Sequence, residues 1–461
     1  METSEKIKVW ILSEERPKPE VLKKIIEIYC QNKGFTLTAD ISAVNVLPIF
    51  TDHKFDSVYR ITGVEINEAS EVLLKIVSGY SSFVDFLIYE TVNDLPTPAQ
   101  NPTLIIEETK TADTESRNTG IFQRASKFVY VDNYYPAVKK IMFYNLRVEE
   151  QKTPTATNSF GTRLLLTIGV ELTGKKTEST LTPFSTLDEL ITARGAIRKP
   201  PKGNVPISIT QTDHSISISG RLFKNGSLSH DPNIGALTLI AKALRTLGWK
   251  HKIIITQHGL DQTHIKQSNK FVLIANLLDL ELEGLTLPKI EMPKEYWKFE
   301  QNSEKLASIL LHILSLQTSN IVPIYENHAG SERGYLYDSQ NGPIVIGKYI
   351  GNKKIKGIIN IPDLVLRDDE NKIIYSLEGK ISAKVKDAIS DLKNYGPFED
   401  EYLKIHYPEY EVRRGVVLYG ENVVNPDVLF TLNSKGEVFL QNKIKAVFLN
   451  EIQAVIDQLS N

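Results

Sequence analysis

The chain has 461 residues, of which 41% are hydrophobic and 24% charged, with a formal net charge of −2. These are values of folded domains; they exclude a disordered chain and exceed what one ordinary core serves, so two or three domains are expected. The single cysteine, Cys30, excludes an internal disulfide framework and a cysteine-rich zinc site, and it fits a reducing cytosol. The start, residues 1–12, alternates charged and apolar residues without a signal-peptide block, and no apolar run approaches bilayer length, so a soluble cytoplasmic protein without membrane contact is expected.

In chain order, residues 19–32 place Val21, Leu22, Ile25, Ile26 and Ile28 on one stripe and predict a helix. Residues 68–77 read as a second helix. Residues 83–89 and 103–108 are β-prone apolar runs, and Pro96, Pro98 and Pro102 between them require a loop. Residues 116–131 predict a helix and residues 140–144 a strand. Residues 151–160, rich in Thr, Ser and Pro, read as a linker. Beyond it, residues 163–172 and 207–218 are strand-like, and residues 195–204 form a basic loop. Asp231-Pro232 opens a helix, with Asp as N-cap and Pro at the first helical position, and Gly248 stops it. A strand at 252–256 follows, and the prolines at 288 and 293 mark a boundary. From Tyr296 the early order returns: a helix at 304–316, strands at 356–366 and 372–378, a helix at 382–395 and a strand at 414–419. The expected division is 1–150, 151–295 and 296–461.

Two acid-and-lysine constellations stand near the ends of the chain. One is Pro362-Asp363, fourteen residues, then Glu378-Gly379-Lys380; the other is Asp85, a longer gap, then Glu108-Thr109-Lys110. Residues two apart on a strand share a face, so each glutamate stands beside its lysine, and the aspartate comes from the neighbouring strand. Two carboxylates with open positions suit magnesium, which lowers the pKa of a bound water and offsets phosphate charge. The lysine can orient the attacking water and stabilise the phosphorane. Other acid-x-lysine tripeptides, such as Asp52-His53-Lys54, Glu150-Gln151-Lys152, Glu370-Asn371-Lys372 and Asp391-Leu392-Lys393, lack this strand context and read as solvated surface pairs. The pair Glu107-Glu108 is costly to bury without a cation, and a salt bridge from Lys110 or Arg124 is its structural reading. Gln123, Arg124 and Lys127 on the following helix are within reach of a phosphate. Glu68 or Glu71, and Glu304 or Glu326, are candidates to complete the two metal shells.

The charge is unevenly spread. Between residues 191 and 256 ten Lys/Arg face two acids, a surplus of eight in a chain whose total is −2. Such a basic middle between acidic ends can grip phosphates. Arg198, Lys199, Lys202, Arg221, Lys224, Asn225, His230 and Asn233 are types that contact phosphates and base edges, as are Gln123 and Arg124. The plain reading of residues 230–233 is helix capping, and Trp249 and Trp297 read as core packing.

The Pro362-Asp363…Glu378-Gly379-Lys380 signature resembles the PD-(D/E)XK nuclease superfamily, which includes most Type II restriction endonucleases. Residues 105–110, followed by 115–120 and Gln123-Arg124, are similar to restriction enzymes as well. The resemblance covers roughly residues 65–145 and 300–420. It implies an α/β architecture with two restriction-endonuclease-like cores flanking a mixed α/β DNA-recognition region. Asp85, Glu108 and Lys110 match one metal-and-water triad, and Asp363, Glu378 and Lys380 the other. It further implies Mg²⁺ as cofactor (with Mn²⁺ as a substitute), double-stranded DNA as substrate, a prokaryotic cytosol and a companion DNA methyltransferase. Some restriction enzymes with asymmetric sites carry two different catalytic centres in one chain, and this layout is similar. The sequence leaves open a single live centre working as a homodimer, and a DNA-binding protein without catalysis.

Overall fold

Buried strands organise this chain: runs such as Leu104–Thr109 and Leu364–Asp368 are enclosed on both faces, their terminal acidic residues included. The computed structural model describes residues 6–37, 44–80, 83–109, 120–144, 156–174, 181–197, 208–222, 231–266, 269–326, 333–338, 342–347, 349–350, 353–354 and 360–460. The architecture is mixed α/β with several mixed sheets. The chain forms two compact units, which divide differently from the boundaries near 150 and 295. The first comprises Met1–Glu14, Lys24–Gly34 and Val77–Lys298; the second Glu15–Lys23, Phe35–Ile76 and Phe299–Asn461. The basic middle therefore belongs to the same unit as Asp85 and Glu108.

In the first unit Ile7–Ser13, Phe86–Thr91, Leu104–Thr109, Lys140–Tyr144 and Val170–Thr173 are neighbours in that order. The first two pairings are antiparallel and the next two parallel. A second sheet orders Leu280–Leu282, Lys252–Thr256, Ser215–Ser219 and Ser208–Gln211. In the second unit Ile321–Glu326, Leu364–Asp368, Ile373–Ile381, Glu411–Tyr419, Val428–Leu432 and Val438–Leu440 form one sheet. Its first four pairings repeat the antiparallel, antiparallel, parallel, parallel ladder of the first unit. A meander of Asn45–Thr51, Lys54–Thr62 and Ala69–Gly79 precedes it in sequence.

Helices cover these sheets where apolar stripes demand it. Glu304–Ser315 is capped by Ser303, whose hydroxyl accepts from the Lys305 N–H, and every residue from Leu306 to Ser315 is buried. In the first unit Gly120–Asp132 crosses between two parallel strands and packs against Ala156–Thr167 and Asp231–Thr246. A glycine makes the second of these contacts possible. A Cβ at Gly235 would stand 1.5 Å from the carbonyl oxygen of Phe122, so the helix backbones touch with no side chain between them. Trp297 and Trp249 are both buried, as expected of core residues.

Three expectations are corrected. Residues 68–77 form a strand, Ala69–Gly79, and no helix: Val72 to Val77 are all buried, an unbroken run rich in β-branched residues that suits a two-faced strand. The expected linker at 151–160 and strand at 163–172 give way to the helix Ala156–Thr167 and the short strand Val170–Thr173, with 151–155 outside the described residues. Phe160, Leu164 and Leu165 supply the buried stripe that makes the helix. Residues 382–395 form a 3₁₀ turn, the helix Val385–Asp391 and a second 3₁₀ turn, instead of one helix.

Candidate active site

In the second unit Asp363 immediately precedes the strand Leu364–Asp368 and lies opposite Glu378. Its N–H donates to Leu377 O (3.1 Å), and its Oδ2 accepts from the Gly379 N–H (2.9 Å). Glu378 is buried; Lys380 Nζ donates to its Oε1, and Tyr395 Oη to its Oε2. The expected triad of Asp363, Glu378 and Lys380 is thus brought together, with Tyr395 as a fourth member. Burial alone would lower the Lys380 ammonium, but the charges of Glu378, Asp363 and Asp391 outweigh it and hold it above its ordinary value. Burial, then the Glu378 charge, raises the Tyr395 phenol well above its own, so Tyr395 stays a hydrogen-bond donor.

Gly379 lets a helix reach this pair. A Cβ there would stand 2.6 Å from Ser308 Oγ, 3.1 Å from Asp363 Oδ2 and 3.6 Å from Glu304 Cβ. The N-terminal turn of Glu304–Ser315 therefore lies against Gly379 and Asp363, but among the described residues Glu304 makes no three-carboxylate group with Asp363 and Glu378. Glu326 ends its own strand, and its side chain lies outside the described residues.

The first unit builds the same pairing, with the acid one residue before the expected Glu108. Asp85 immediately precedes Phe86–Thr91, and Phe86 pairs with Ile106, which sets Asp85 opposite Glu107. The Asp85 N–H donates to Glu107 Oε2 (3.0 Å), and Asp85 Oδ2 accepts from the Glu108 N–H (2.8 Å). That last contact matches Gly379 N–H to Asp363 Oδ2. Glu107 therefore stands where Glu378 stands, Glu108 where Gly379 stands, and Thr109 where Lys380 stands. Glu107 and Glu108 point to opposite faces of one strand.

The cations come from the helix Gly120–Asp132. Lys127 Nζ lies 3.1 Å from Asp85 Oδ1 and 2.8 and 2.9 Å from the two oxygens of Glu107. Arg124, one turn earlier on the same face, donates to Glu108 O (2.9 Å) and lies 3.4 Å from Glu107 Oε1. Burial pushes the Glu107 carboxyl up to about 8; Asp85 adds to the rise, while Lys127 and Arg124 oppose it. For Lys127 burial is outweighed by the charges of Glu107 and Asp85, which hold it above its ordinary value. The Glu108-Thr109-Lys110 tripeptide points to the neighbour of Glu107, and the sequence alone offers Lys127 as a phosphate contact. The available signal was chemical: two acids ending a buried strand demand a cation, and Arg124 and Lys127 share one helix face. Lys110 lies outside the described residues. Glu71, on a strand of the second unit, pairs with Arg60 (3.0 Å), which corrects its expected place on a helix; Glu68 precedes that strand.

The basic middle is less available than its composition implies. Arg194 is buried, Arg245 donates to the carbonyls of Trp249, His251, Leu278 and Asp279, and Lys242 and Lys252 pair with Asp132 (2.5 Å) and Glu281 (2.8 Å). Asn233 is fully buried and donates to Arg221 O (2.6 Å), which holds a loop instead of facing a groove. Arg221 is exposed. Arg198, Lys199, Lys202, Lys224, Asn225, His230 and the Gln123 side chain lie outside the described residues.

Each centre offers two adjacent carboxylates, and among the described residues no group of three or more His, Cys, Asp or Glu able to hold a metal occurs. An all-oxygen pair fits Mg²⁺, which binds through one or two carboxylates and keeps its waters, better than Zn²⁺, which takes nitrogen and sulfur. Among the described residues, buried Glu107 Oε1 receives no well-aligned hydrogen bond and meets Lys127 and Arg124 as ion contacts. No family model, curated protein or solved structure matches the chain. Among the described residues no helix is long and apolar enough to cross a membrane.

Proposed function

We propose that the protein is a Mg²⁺-dependent endonuclease of double-stranded DNA, of the restriction type, with one hydrolytic centre in each unit. One observation carries the reading: twice in one chain, an aspartate just before a strand meets a glutamate across an antiparallel pair and accepts from the amide after that glutamate, and a lysine donates to the glutamate. Asp85 with Glu107, and Asp363 with Glu378, would hold the ion. When bound, it supplies a water of lowered pKa and offsets charge on the scissile phosphate. Lys380 orients the attacking water and stabilises charge developing on the phosphoryl oxygens. Tyr395 fixes the Glu378 carboxylate, and the aspartate–amide hydrogen bond fixes the spacing of the two acids. Hydrolysis adds one water across a P–O bond, leaving a phosphate on one end and a hydroxyl on the other.

The test is supercoiled plasmid in Mg²⁺ with end mapping. Asp85→Ala and Asp363→Ala are each expected to convert it to open circle, and the double variant to leave it supercoiled. A wild-type chain that yields no Mg²⁺-dependent product would overturn the hydrolase reading. If one variant abolishes all cutting while the other still linearises, a single centre does the work.

A further inference from the structure

We infer that Glu107 and Lys127, in place of Glu108 and Lys110, complete the first unit's centre with Asp85. This rests on the nuclease reading above and goes beyond the motif that suggested it. The tripeptide Glu108-Thr109-Lys110 has the right letters, but the strand pairing sets Glu107 opposite Asp85 and gives Glu108 the position of Gly379. The residue that occupies the strand position of Lys380 is then Thr109, which is buried and uncharged. An ammonium is nonetheless present: Lys127 reaches Asp85 and both oxygens of Glu107 from the crossover helix. Lysine can serve from another element because its charge is a compact point on a flexible four-carbon stem. Arg124 holds that helix to the glutamate strand through Glu108 O, one turn from Lys127, and so positions it. Lys127 takes on the work of orienting water and stabilising charge at this centre.

The test uses the full chain with the second centre silenced by Glu378→Gln, so that any nick comes from the first unit. In that background Lys127→Met and Glu107→Gln are expected to slow nicking by about 100-fold or more, the effect of removing a charge-stabilising donor. Lys110→Ala and Glu108→Gln are expected to stay within a fewfold of the parent. A second readout needs no catalysis: in Lys127→Met the acids lose their ammonium, so Ca²⁺ should raise the melting temperature more than in the parent, whereas Lys110→Ala should match the parent. Nicking lost in Lys110→Ala or Glu108→Gln but kept in Lys127→Met or Glu107→Gln overturns the inference alone. So does a Glu378→Gln chain that no longer nicks while the unmutated chain cuts. If Lys127→Met does not fold, the isosteric pair Glu107→Gln and Glu108→Gln decides. An unmutated chain inert in Mg²⁺ removes the nuclease reading, and this assignment with it.

Discussion

The two units bring a cation to their acids by different routes. In the second, Lys380 follows Glu378 by two residues and shares its strand face. In the first, Lys127 arrives from a helix twenty residues after Glu107. The acids are alike because strand pairing sets them: a one-residue slip would turn a glutamate to the other face. The cation is free to differ, since a long side chain needs only to reach. Register fixes the carboxylates, and reach supplies the ammonium.

The sharpest way to break this comparison is to move the lysine. Lys380→Ala should slow nicking by the second unit about 100-fold or more and leave the first unit's nick, read as accumulation of open circle. Thr109→Lys added to Lys127→Met would give the first unit the strand lysine of the second, and should recover nicking above the level of Lys127→Met alone. Next in size are the two close approaches. In Gly235→Ala the new methyl meets the rigid carbonyl of Phe122 at 1.5 Å, so helices must part, at a cost of about 1–3 kcal/mol or more in urea denaturation. In Gly379→Ala the nearest atom is a side-chain hydroxyl at 2.6 Å, so the stability loss should be smaller while the second unit's nick suffers more. Tyr395→Phe removes a hydrogen bond to a carboxylate and should slow the second unit's nick by about tenfold, leaving the first unit's rate alone.

The last comparison separates the units by pH. Glu107 is held near about 8 against an ordinary 4.5, so the folded state keeps a proton that the unfolded chain releases. Its contribution to stability is complete below about 4.5 and is lost as pH rises through about 8. Lys75, in the second unit, behaves oppositely. Burial lowers it to about 8 from 10.5, with Asp56 opposing, so the unfolded chain binds more protons between those values and stability rises with pH across them. Urea denaturation of Glu107→Gln and Lys75→Met against the parent should remove a falling slope from one window and a rising slope from the other. Slopes of the same sign would contradict the assignment.

Much of the second unit's centre was legible in the sequence, because strand and motif there agree: Glu378 and Lys380 lie two apart on one strand, and a short turn brings Asp363 back beside them. The first unit was legible only to within one residue. Two adjacent glutamates end its strand, and alternation says that they face opposite ways but not which faces Asp85; that depends on the pairing of Phe86 with Ile106 across a proline-rich loop. Lys127 was harder still, since its contact depends on how a helix lies on the sheet. Residues 69–79 show another limit: the short run Val72–Val77, apolar but for Lys75, has no clear periodicity to separate strand from helix. The lysines and arginines of the middle illustrate a third, because composition counts charges without showing which are already spoken for by Asp132, Glu281 or backbone carbonyls.

The small hydrogen bond from the amide after the inward glutamate to the aspartate works as a gauge. It reads 2.8 Å in one unit and 2.9 Å in the other, though the residues donating it are a glutamate and a glycine. A backbone amide carries no letter, so a pattern of letters passes over it, while matching the two strands on it sets Glu107 against Glu378 and Asp85 against Asp363. Searches for such centres in other chains would gain by starting from that contact and letting the lysine fall where the surrounding helices put it.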